Sequence, residues 1–288
     1  MLSIKAIKQK RNSIKGIQQA TRAMNLVSTV KLQKARLMME TAHPFIQGAV
    51  DIMMSVGCNE KAADHPIVKP QKKGTKNTAY IVITSNRGLC GGYNENVCKE
   101  AIAHKRDESN NAAYHLIGSK GMSYFNARSL KVVENYIVKD NADGLFYKTA
   151  KDISNAIISE YENGTIDEIY ITYTKYKSIL VQEPKTEPIL PLGIRPDYVM
   201  QKNTMEFDPC IKSFLQNTVK IYLSSCIHEA MLNAFVSEQA ARMVKMDSAT
   251  NNAEEIIQDL TLMFNRQRQG IITQEIIEIV SGTNAVRQ

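Results

Sequence analysis

The stretch EQAARMVKMDSATNNAEEII, residues 238–257, lies inside a C-terminal part of the chain that proline does not interrupt. Residues 210–288 contain no proline and only two glycines, Gly270 and Gly282. Since proline breaks helices and glycine weakens them, this composition predicts one helix of roughly 75 residues from about residue 208. Apolar residues mark one stripe along it: Leu215, Val219, Tyr222, Cys226, Ala230, Ala234, Ala241, Val244, Ile256, Leu260 and Met263.

The N-terminal arm has the same character. Residues 1–43 contain no proline and one glycine, Gly16, and we predict a coiled-coil helix over 1–57. Arg11, Gln18 and Asn25 fall near the expected seam and make it imperfect. The apolar residues that define the seam are spaced by three, four or seven: Ile4, Ile7, Ile14, Ile17, Met24, Val27 and Leu32.

A single amphipathic helix of roughly 75 residues must bury its stripe, and the N-terminal arm is the partner that this chain offers. Both arms start from one middle region, so the simplest packing is a long antiparallel coiled coil. The alternative is a bundle of several shorter helices, which requires turns that residues 210–265 do not supply.

The middle of the chain predicts a Rossmann-like α/β domain. Strand-like runs occur at 78–84, 112–117, 131–138 and 168–174, with helical stretches at 93–108 and 146–162 between them. This alternation indicates a mainly parallel sheet, followed by one further extended strand over 177–189. The predicted segments are therefore an N-terminal helix 1–57, a linker 58–77, an α/β domain 78–207 and a C-terminal helix 208–288.

The charge of the chain is concentrated at one end. Residues 1–40 carry nine basic residues and one acidic residue, a net charge of +8 against +7 for the whole chain, so the remainder sums to −1. The basic residues, Lys31 among them, lie on the face of the N-terminal helix opposite its seam. This pattern predicts an acidic partner surface.

The turn SNRGLCGGYN, residues 85–94, follows the first strand and is the main candidate for chemistry. A glycine-rich turn between a strand and a helix can bind phosphate, but the spacing matches neither GxGxxG nor GxxxxGK[ST]. We favour a tight turn with positive φ at Gly88, Gly91 or Gly92. No histidine lies near Cys90 in sequence, so we predict no catalytic residue, and we also expect no cofactor and no metal site.

The end of the C-terminal helix predicts an outside partner. The last ~20 residues, about 30 Å of helix, extend past what the shorter N-terminal helix can cover. A helix that is apolar around most of its circumference must be buried, so we expect this end to insert into another protein. Its apolar residues are Ile271, Ile272, Ile276, Ile277, Ile279 and Val280.

Three segments together resemble the γ subunit of the F-type ATP synthase: TRAMNLVSTVKLQKAR at 21–36, ITSNRGLCGGYN at 83–94, and EQAARMVKMDSATNNAEEII at 238–257 with ITQEIIEIVSG at 272–282. The resemblance implies a non-catalytic rotor shaft that couples ion-driven rotation to ATP synthesis or hydrolysis. Its coiled coil would pass through the hexamer of α and β subunits, and its foot would sit with ε on the ring of c subunits.

The resemblance also implies site residues. Gln269, Thr273, Glu275 and Arg242 match positions that contact the β catch loops, and Met24 matches a position where a charged replacement disturbs coupling. Lys31 and the other basic residues would meet acidic loops of β, while Ile276 and Ile279 would be buried among α and β. Met205, Glu206, Phe207 and Asp208 would lie at the foot, although Met205 and Phe207 replace the tyrosine that the family often has there.

Two other classes of function remain open from the sequence. A basic coiled coil could bind nucleic acid, but few aromatic residues accompany the basic ones, and the apolar end would have no role. A Rossmann-type nucleotide-binding enzyme would need the 85–94 turn to hold phosphate. Because the family motifs begin close to Met1, we expect no transit peptide and therefore a bacterial protein. Its expected location is the cytoplasmic side of the cell membrane, as a peripheral membrane protein.

Overall fold

The computed structural model of the chain describes residues 3–59, 62, 65–69, 76–104, 111–138, 145–193 and 211–286. They form two compact units. The first contains Met1–Ser28 and Met243–Gln288, and the second contains Thr29–Arg242. Helix α1 spans Ile4–Gly57 and helix α5 spans Ile211–Val286. The two long terminal helices and the α/β fold confirm the predicted fold class, whereas the bundle of shorter helices is wrong.

The α/β fold lies within the second unit. Its elements follow one another along the chain as β1 Asn77–Ile83, α2 Tyr93–Ala103, β2 Asn111–Ile117, α3 Ser119–Asn126, β3 Val132–Tyr136, α4 Leu145–Glu162, β4 Glu168–Tyr176 and β5 Gln182–Leu190. The sheet order is β3-β2-β1-β4-β5, with parallel pairing except between β4 and β5. The prediction of a mainly parallel sheet is confirmed. Pro184 and Pro188 lie in the edge strand β5, where a missing N–H group is tolerated.

Several element boundaries differ from the predicted ones. Helix α3 was not expected, because eight residues are too few to show a helical period. Strand β5 begins at Gln182, five residues after the predicted start, because the Lys177 amide donates to the Val181 carbonyl and closes the hairpin turn there. Helix α1 runs through Pro44, which cannot donate the backbone hydrogen bond of that turn.

Strand β1 shows why the sheet needs helices on both faces. Its residues alternate between two buried clusters, as expected for a strand covered on both sides. Ile81 and Ile83 pack with residues of α1, α4 and α5, including Met53, Ile157 and Ile227. Tyr80 and Val82 pack on the other face with Tyr114 of the neighbouring strand β2 and with residues of α2 and α3: Val97, Cys98, Ala101 and Phe125.

Gly118 joins β2 to α3 in a conformation that only glycine accepts. Its φ is 97°, and a Cβ atom there would lie 2.2 Å from the Thr84 carbonyl oxygen. The close approach lets Thr84 Oγ1 accept a hydrogen bond from the Gly121 amide at 3.0 Å. The carboxyl ends of β1 and β2 are thereby held together.

His115 is a polar residue inside this core. It is 1% exposed, and neither of its ring nitrogens has a hydrogen-bond partner among the described residues. Burial lowers the pKa of His115, while the carboxylates of Glu160 and Glu134 act in the opposite direction. Below the ordinary histidine pKa of 6.5, the unfolded chain therefore binds a proton that the folded chain does not.

We expect His115→Leu to flatten the pH dependence of stability. In the wild type, the free energy of unfolding falls as the pH drops from about 6.5 towards the lowered pKa of the folded state, since only the unfolded state gains the proton. The variant loses the His115 part of this slope, while His228, whose pKa is also lowered by burial, keeps its own part. It is equally stable or more stable, by about 1–2 kcal/mol, at pH 7.5. Urea unfolding between pH 5 and 7.5 measures both effects.

Tyr114→Phe provides the matched control. It removes a neighbouring buried hydroxyl that also lacks a partner among the described residues, but burial raises the pKa of this phenol and so keeps it neutral throughout that range. A slope as steep in His115→Leu as in the wild type, or a slope that flattens equally in Tyr114→Phe, would contradict the assignment.

Candidate interaction surfaces

In the first unit, α1 and α5 pair in an antiparallel coiled coil. The Arg11 guanidinium lies 5.4 Å from the centre of the Phe264 ring, and Gln18 Nε2 donates to Glu254 Oε2 at 2.6 Å. Further along, the Thr21 and Thr250 hydroxyls are 2.8 Å apart. Rising residue numbers in α1 meet falling numbers in α5, which confirms the predicted antiparallel packing.

The predicted seam of α1 is right in part. Ile4, Ile7, Ile14 and Leu32 are buried or partly buried, whereas Ile17, Met24 and Val27 are 50%, 42% and 56% exposed. Arg11, Gln18 and Asn25, expected near the seam, lie in it, and Asn25 Nδ2 donates to the Met243 carbonyl at 3.3 Å and the Asp247 carboxylate at 3.4 Å. Helix α1 carries two series of apolar residues that are offset by three positions, one through Ile14 and one through Ile17. The structure buries the series through Ile14, which shares its face of the helix with polar residues that have partners on α5. On α5, Met246, Ala253 and Leu260 are buried, while Ile256 and Met263 of the predicted stripe are exposed.

The C-terminal end of α5 extends beyond this pairing. The register set by Arg11–Phe264 and Gln18–Glu254 places Ile4, the first residue of α1, opposite about residue 270 of α5. The segment 271–280, called the apolar tip below, continues as helix past that point. Its six large apolar side chains are 41–68% exposed: Ile271, Ile272, Ile276, Ile277, Ile279 and Val280.

The predicted contact residues of the tip lie together on this exposed helix. Gln269, Thr273 and Glu275 are all exposed, and Thr273 Oγ1 donates to the Gln269 carbonyl at 2.9 Å within the helix. Ile276 and Ile279 are 55% and 68% exposed. Two further apolar residues, Leu262 and Met263, are 68% and 56% exposed little more than two turns before the tip. Leu262 was not named from the sequence, and Met263 was expected on the buried stripe.

The basic residues of α1 face solvent for the most part. In the first unit, Lys5, Lys8, Lys10, Lys15 and Arg22 are exposed, and Arg11 is drawn into the seam by Phe264. In the second unit, Lys34 and Arg36 are exposed and Lys31 is partly exposed. Each unit therefore presents basic side chains on its own segment of α1.

Arg242 does not join the tip residues. It belongs to the second unit, is 9% exposed, and makes a salt bridge of 2.6 Å to Glu238 one turn earlier on α5. Its guanidinium also donates to the carbonyls of Arg87 and Gly88, each at 3.3 Å. The structure thus gives Arg242 an intramolecular role at the glycine-rich turn, which sequence spacing could not reveal across more than 150 residues.

The glycine-rich turn is held by its own side chains. Gly91 has a φ of 61°, as predicted for one of three glycines, and Leu89 also has a positive φ of 64°. The Ser85 amide donates to Asn94 Oδ1 at 2.8 Å, and Asn94 Nδ2 donates to Cys90 Sγ at 3.3 Å. Burial raises the pKa of the Cys90 thiol despite the nearby Arg242 charge, so it remains a protonated, buried side chain.

Helix α5 fills the crevice in which a Rossmann-like sheet would bind a ligand. Ligands of such folds lie outside the carboxyl ends of the strands, where the strand order reverses, which is here between β1 and β4. Met231, Ala234 and Glu238 of α5 occupy this place beside Ser85 and leave a cavity of about 40 Å³. Ligand pockets are typically about 300–1,000 Å³, so this space does not admit a nucleotide. Glu238 would in addition repel a phosphate.

Other site predictions have different outcomes. Met24 is 42% exposed on the first unit, beside the seam. Met205, Glu206, Phe207 and Asp208 lie outside the described residues. Within the described parts of the chain, no group of three or more His, Cys, Asp or Glu side chains could hold a metal ion.

Paired terminal helices with an exposed apolar end, and an α/β fold whose ligand crevice is filled by α5, define a coiled-coil interaction protein. The comparisons give the family. The family model described as ATP synthase matches residues 3–286. The ATP synthase gamma chain of Desulforamulus reducens is 35% identical, with 99% of this chain and 100% of the relative covered. That of Lachnoclostridium phytofermentans is 37% identical with the same coverage. The chain belongs to the ATP synthase gamma chain family.

Solved structures show the same fold. A chain of the Euglena gracilis mitochondrial ATP synthase, from an OSCP/F1/c-ring structure in rotational state 3, matches with a TM-score of 0.71 at 15% identity. The match covers 98% of this chain and 94% of that one. A chain of the Tetrahymena thermophila mitochondrial ATP synthase central stalk and c-ring matches with a TM-score of 0.59 at 23% identity, covering 80% and 99%. Among the described helices, none combines the length and the apolar character needed to cross a membrane.

The register of the coiled coil can be tested by cross-linking. The Thr21 and Thr250 hydroxyls are 2.8 Å apart, so Thr21→Cys/Thr250→Cys is expected to form a disulfide in most molecules under mild oxidation. Peptide mass spectrometry after digestion detects the bond. The control Ala20→Cys/Thr250→Cys moves one cysteine to an exposed position, and we expect little cross-linking. Equal yields in the two variants would contradict the register.

Proposed function

We propose that this chain is the central-stalk rotor subunit of an F-type ATP synthase, which couples ion-driven rotation to ATP synthesis or hydrolysis at catalytic β subunits. The observation that carries the proposal is the exposed apolar tip, which continues as helix beyond its α1 partner. A surface of this kind marks a protein interface. A hole lined by surrounding subunits would cover the tip on all sides, as a central shaft requires.

The partners follow from the family and from the charge of the chain. The α and β subunits would surround the coiled coil, and the ε subunit with the ring of c subunits would bind its foot. The named assemblies of the structural neighbours, F1 with c-ring and central stalk with c-ring, support this set of partners. The exposed basic residues of α1 would face acidic loops of β.

The proposed contact residues with α and β are those at and near the tip together with two residues of α1. Gln269, Thr273 and Glu275 present polar groups from an exposed helix, which suits hydrogen bonds with loops of β. Met24 and Lys31 would contact the hexamer from α1, and Ile276 and Ile279 would be buried in it. Arg242 would contact β through the small part of its side chain that is exposed, since the residue is 9% exposed and its Nε and Nη2 groups already donate within the chain.

Residues 205–208 are the proposed contact with ε and the c-ring, on the strength of the family resemblance alone. The proposed location is the cytoplasmic side of a bacterial cell membrane, where the chain would be held by the c-ring rather than by a membrane-spanning segment of its own. The bacterial relatives support this assignment.

Truncation after Gly270 tests the tip. Removing residues 271–288 deletes six exposed apolar side chains, and residues 271–281, whose exposure the structure describes, include none of the buried core. We expect the truncated chain to keep its fold by circular dichroism and to lose at least about tenfold in its affinity for α and β subunits, because a buried apolar side chain stabilises an interface by about 1.5–3 kcal/mol. Truncation after Ser281 keeps the apolar tip and is the control. Undiminished assembly and coupling after Gly270 would refute the proposal.

Met24→Lys tests the coupling role of α1. Met24 lies beside the seam and is partly covered by the coiled coil, so a charge there changes the surface that faces α and β. In membrane vesicles with the complete enzyme, we expect ion pumping to fall at least about twofold more than ATP hydrolysis, because a charge buried without a partner disturbs an interface. Met24→Leu preserves the apolar surface and should behave as wild type. Parallel loss of pumping and hydrolysis would count against the shaft role.

A further inference from the structure

Helix α5 is attached to the α/β fold by directional polar contacts within two turns, residues 234–242. The Tyr93 hydroxyl, at the start of α2, donates to the Ala234 carbonyl at 3.0 Å. One turn later, Ser237 Oγ donates to the Thr174 carbonyl of β4 at 3.1 Å. The third attachment is the Arg242 guanidinium on the glycine-rich turn described above.

These contacts are inside the protein. Tyr93, Ser237 and Arg242 are 6%, 0% and 9% exposed. The Glu238 carboxylate fixes the guanidinium from one turn earlier, so Arg242 is held on both sides. A hydrogen bond weakens steeply when its angle becomes poor, and in such a water-excluded place no water replaces the lost partner.

Outside residues 234–242 the contact between α5 and the α/β fold is mainly apolar, with one further hydrogen bond from Ser154 Oγ of α4 to the Lys220 carbonyl at 3.2 Å. Leu223, Ile227 and Met231 pack into the cluster formed with α1, α4 and the sheet. Apolar burial is non-directional, so it resists separation of the helix far more than rotation of the helix about its own axis. The hydrogen bonds resist rotation, because a small turn of α5 would misalign three donors at once.

The acceptors and donors on the α/β fold all lie at one edge of the sheet. Thr174 is near the carboxyl end of β4, while Arg87, Gly88 and Tyr93 follow the carboxyl end of the neighbouring parallel strand β1. The edge that holds the ligand in other Rossmann-like folds is used here to hold a helix.

We propose that Tyr93, Ser237 and Arg242 are positioning residues that fix the rotational setting of α5 on the α/β fold and so transmit torque between them. This inference rests on the proposed rotor function. It assigns the transfer of torque to a buried polar attachment in one part of the chain. Of its three residues only Arg242 is also a proposed contact with β, so the variant Tyr93→Phe/Ser237→Ala, which leaves Arg242 in place, tests the attachment apart from that contact.

The first test uses the full chain alone. In Tyr93→Phe/Ser237→Ala/Arg242→Lys, the glycine-rich turn loses its anchor, and we expect modification of Cys90 by N-ethylmaleimide to accelerate about tenfold, since opening of the turn controls access to this buried thiol. Cys98, which is fully buried on α2, is the internal standard and should keep its rate. An unchanged Cys90 rate, or equal acceleration of both thiols, would overturn the inference.

The second test measures coupling in membrane vesicles that contain the complete enzyme. We expect the triple variant to pump at least about twofold fewer ions per ATP hydrolysed than wild type. The matched control is Tyr161→Phe/Ser224→Ala. It also removes one buried tyrosine and one buried serine hydroxyl, but these donate to Pro66 and to Ile221 of α5 itself. The control should couple as wild type does.

The outcomes separate the two proposals. If the wild-type chain does not assemble or couple, the rotor function fails. If the wild type couples and the triple variant couples equally well, only the torque attachment is overturned. Should the triple variant not assemble, the three single variants take its place, and coupling equal to wild type in all of them would overturn the attachment.

Discussion

Burial of the apolar stripe of α5 is the constraint on which the other elements depend. A helix satisfies its own backbone hydrogen bonds along its length, but its apolar side chains need cover from elsewhere. In the first unit α1 supplies that cover through the coiled coil, and in the second unit the α/β fold and α1 supply it through the large core cluster. The apolar tip is the part of the stripe for which the chain has no α1 segment left. Fully burying its six apolar residues would stabilise a complex by roughly 5–10 kcal/mol as an upper estimate.

The coiled-coil seam shows how stability and register are balanced. Gln18, Thr21 and Asn25 replace apolar residues over more than a heptad of α1, and each has a polar partner on α5. Polar seam positions lower stability relative to leucine or isoleucine, but they disfavour every shifted register, because a shift leaves their groups unpaired. In a shaft that carries load along its length, a single register matters more than maximal stability.

Much of the fold could be predicted from the sequence because proline and glycine restrict where long helices form. The choice between two apolar series on α1, at Ile14 and at Ile17, could not be made, since both satisfy helical spacing and only the facing residues of α5 decide. The same limit explains why the intramolecular contacts of Arg242 were not predicted, because its acceptors at Arg87 and Gly88 come from a distant part of the chain. The exposed tip was predictable because its apolar character is local and its lack of an α1 counterpart follows from the lengths of the helices.

Rotation of the chain within its assembly can be observed directly. The α and β subunits are fixed to a surface, and a bead is attached through a cysteine that replaces Ser178, an exposed residue of the β4–β5 turn. On addition of ATP, we expect continuous rotation of the bead in one direction, and no such rotation with ADP. An assembled complex that hydrolyses ATP at the normal rate while the bead remains stationary would contradict the rotor function.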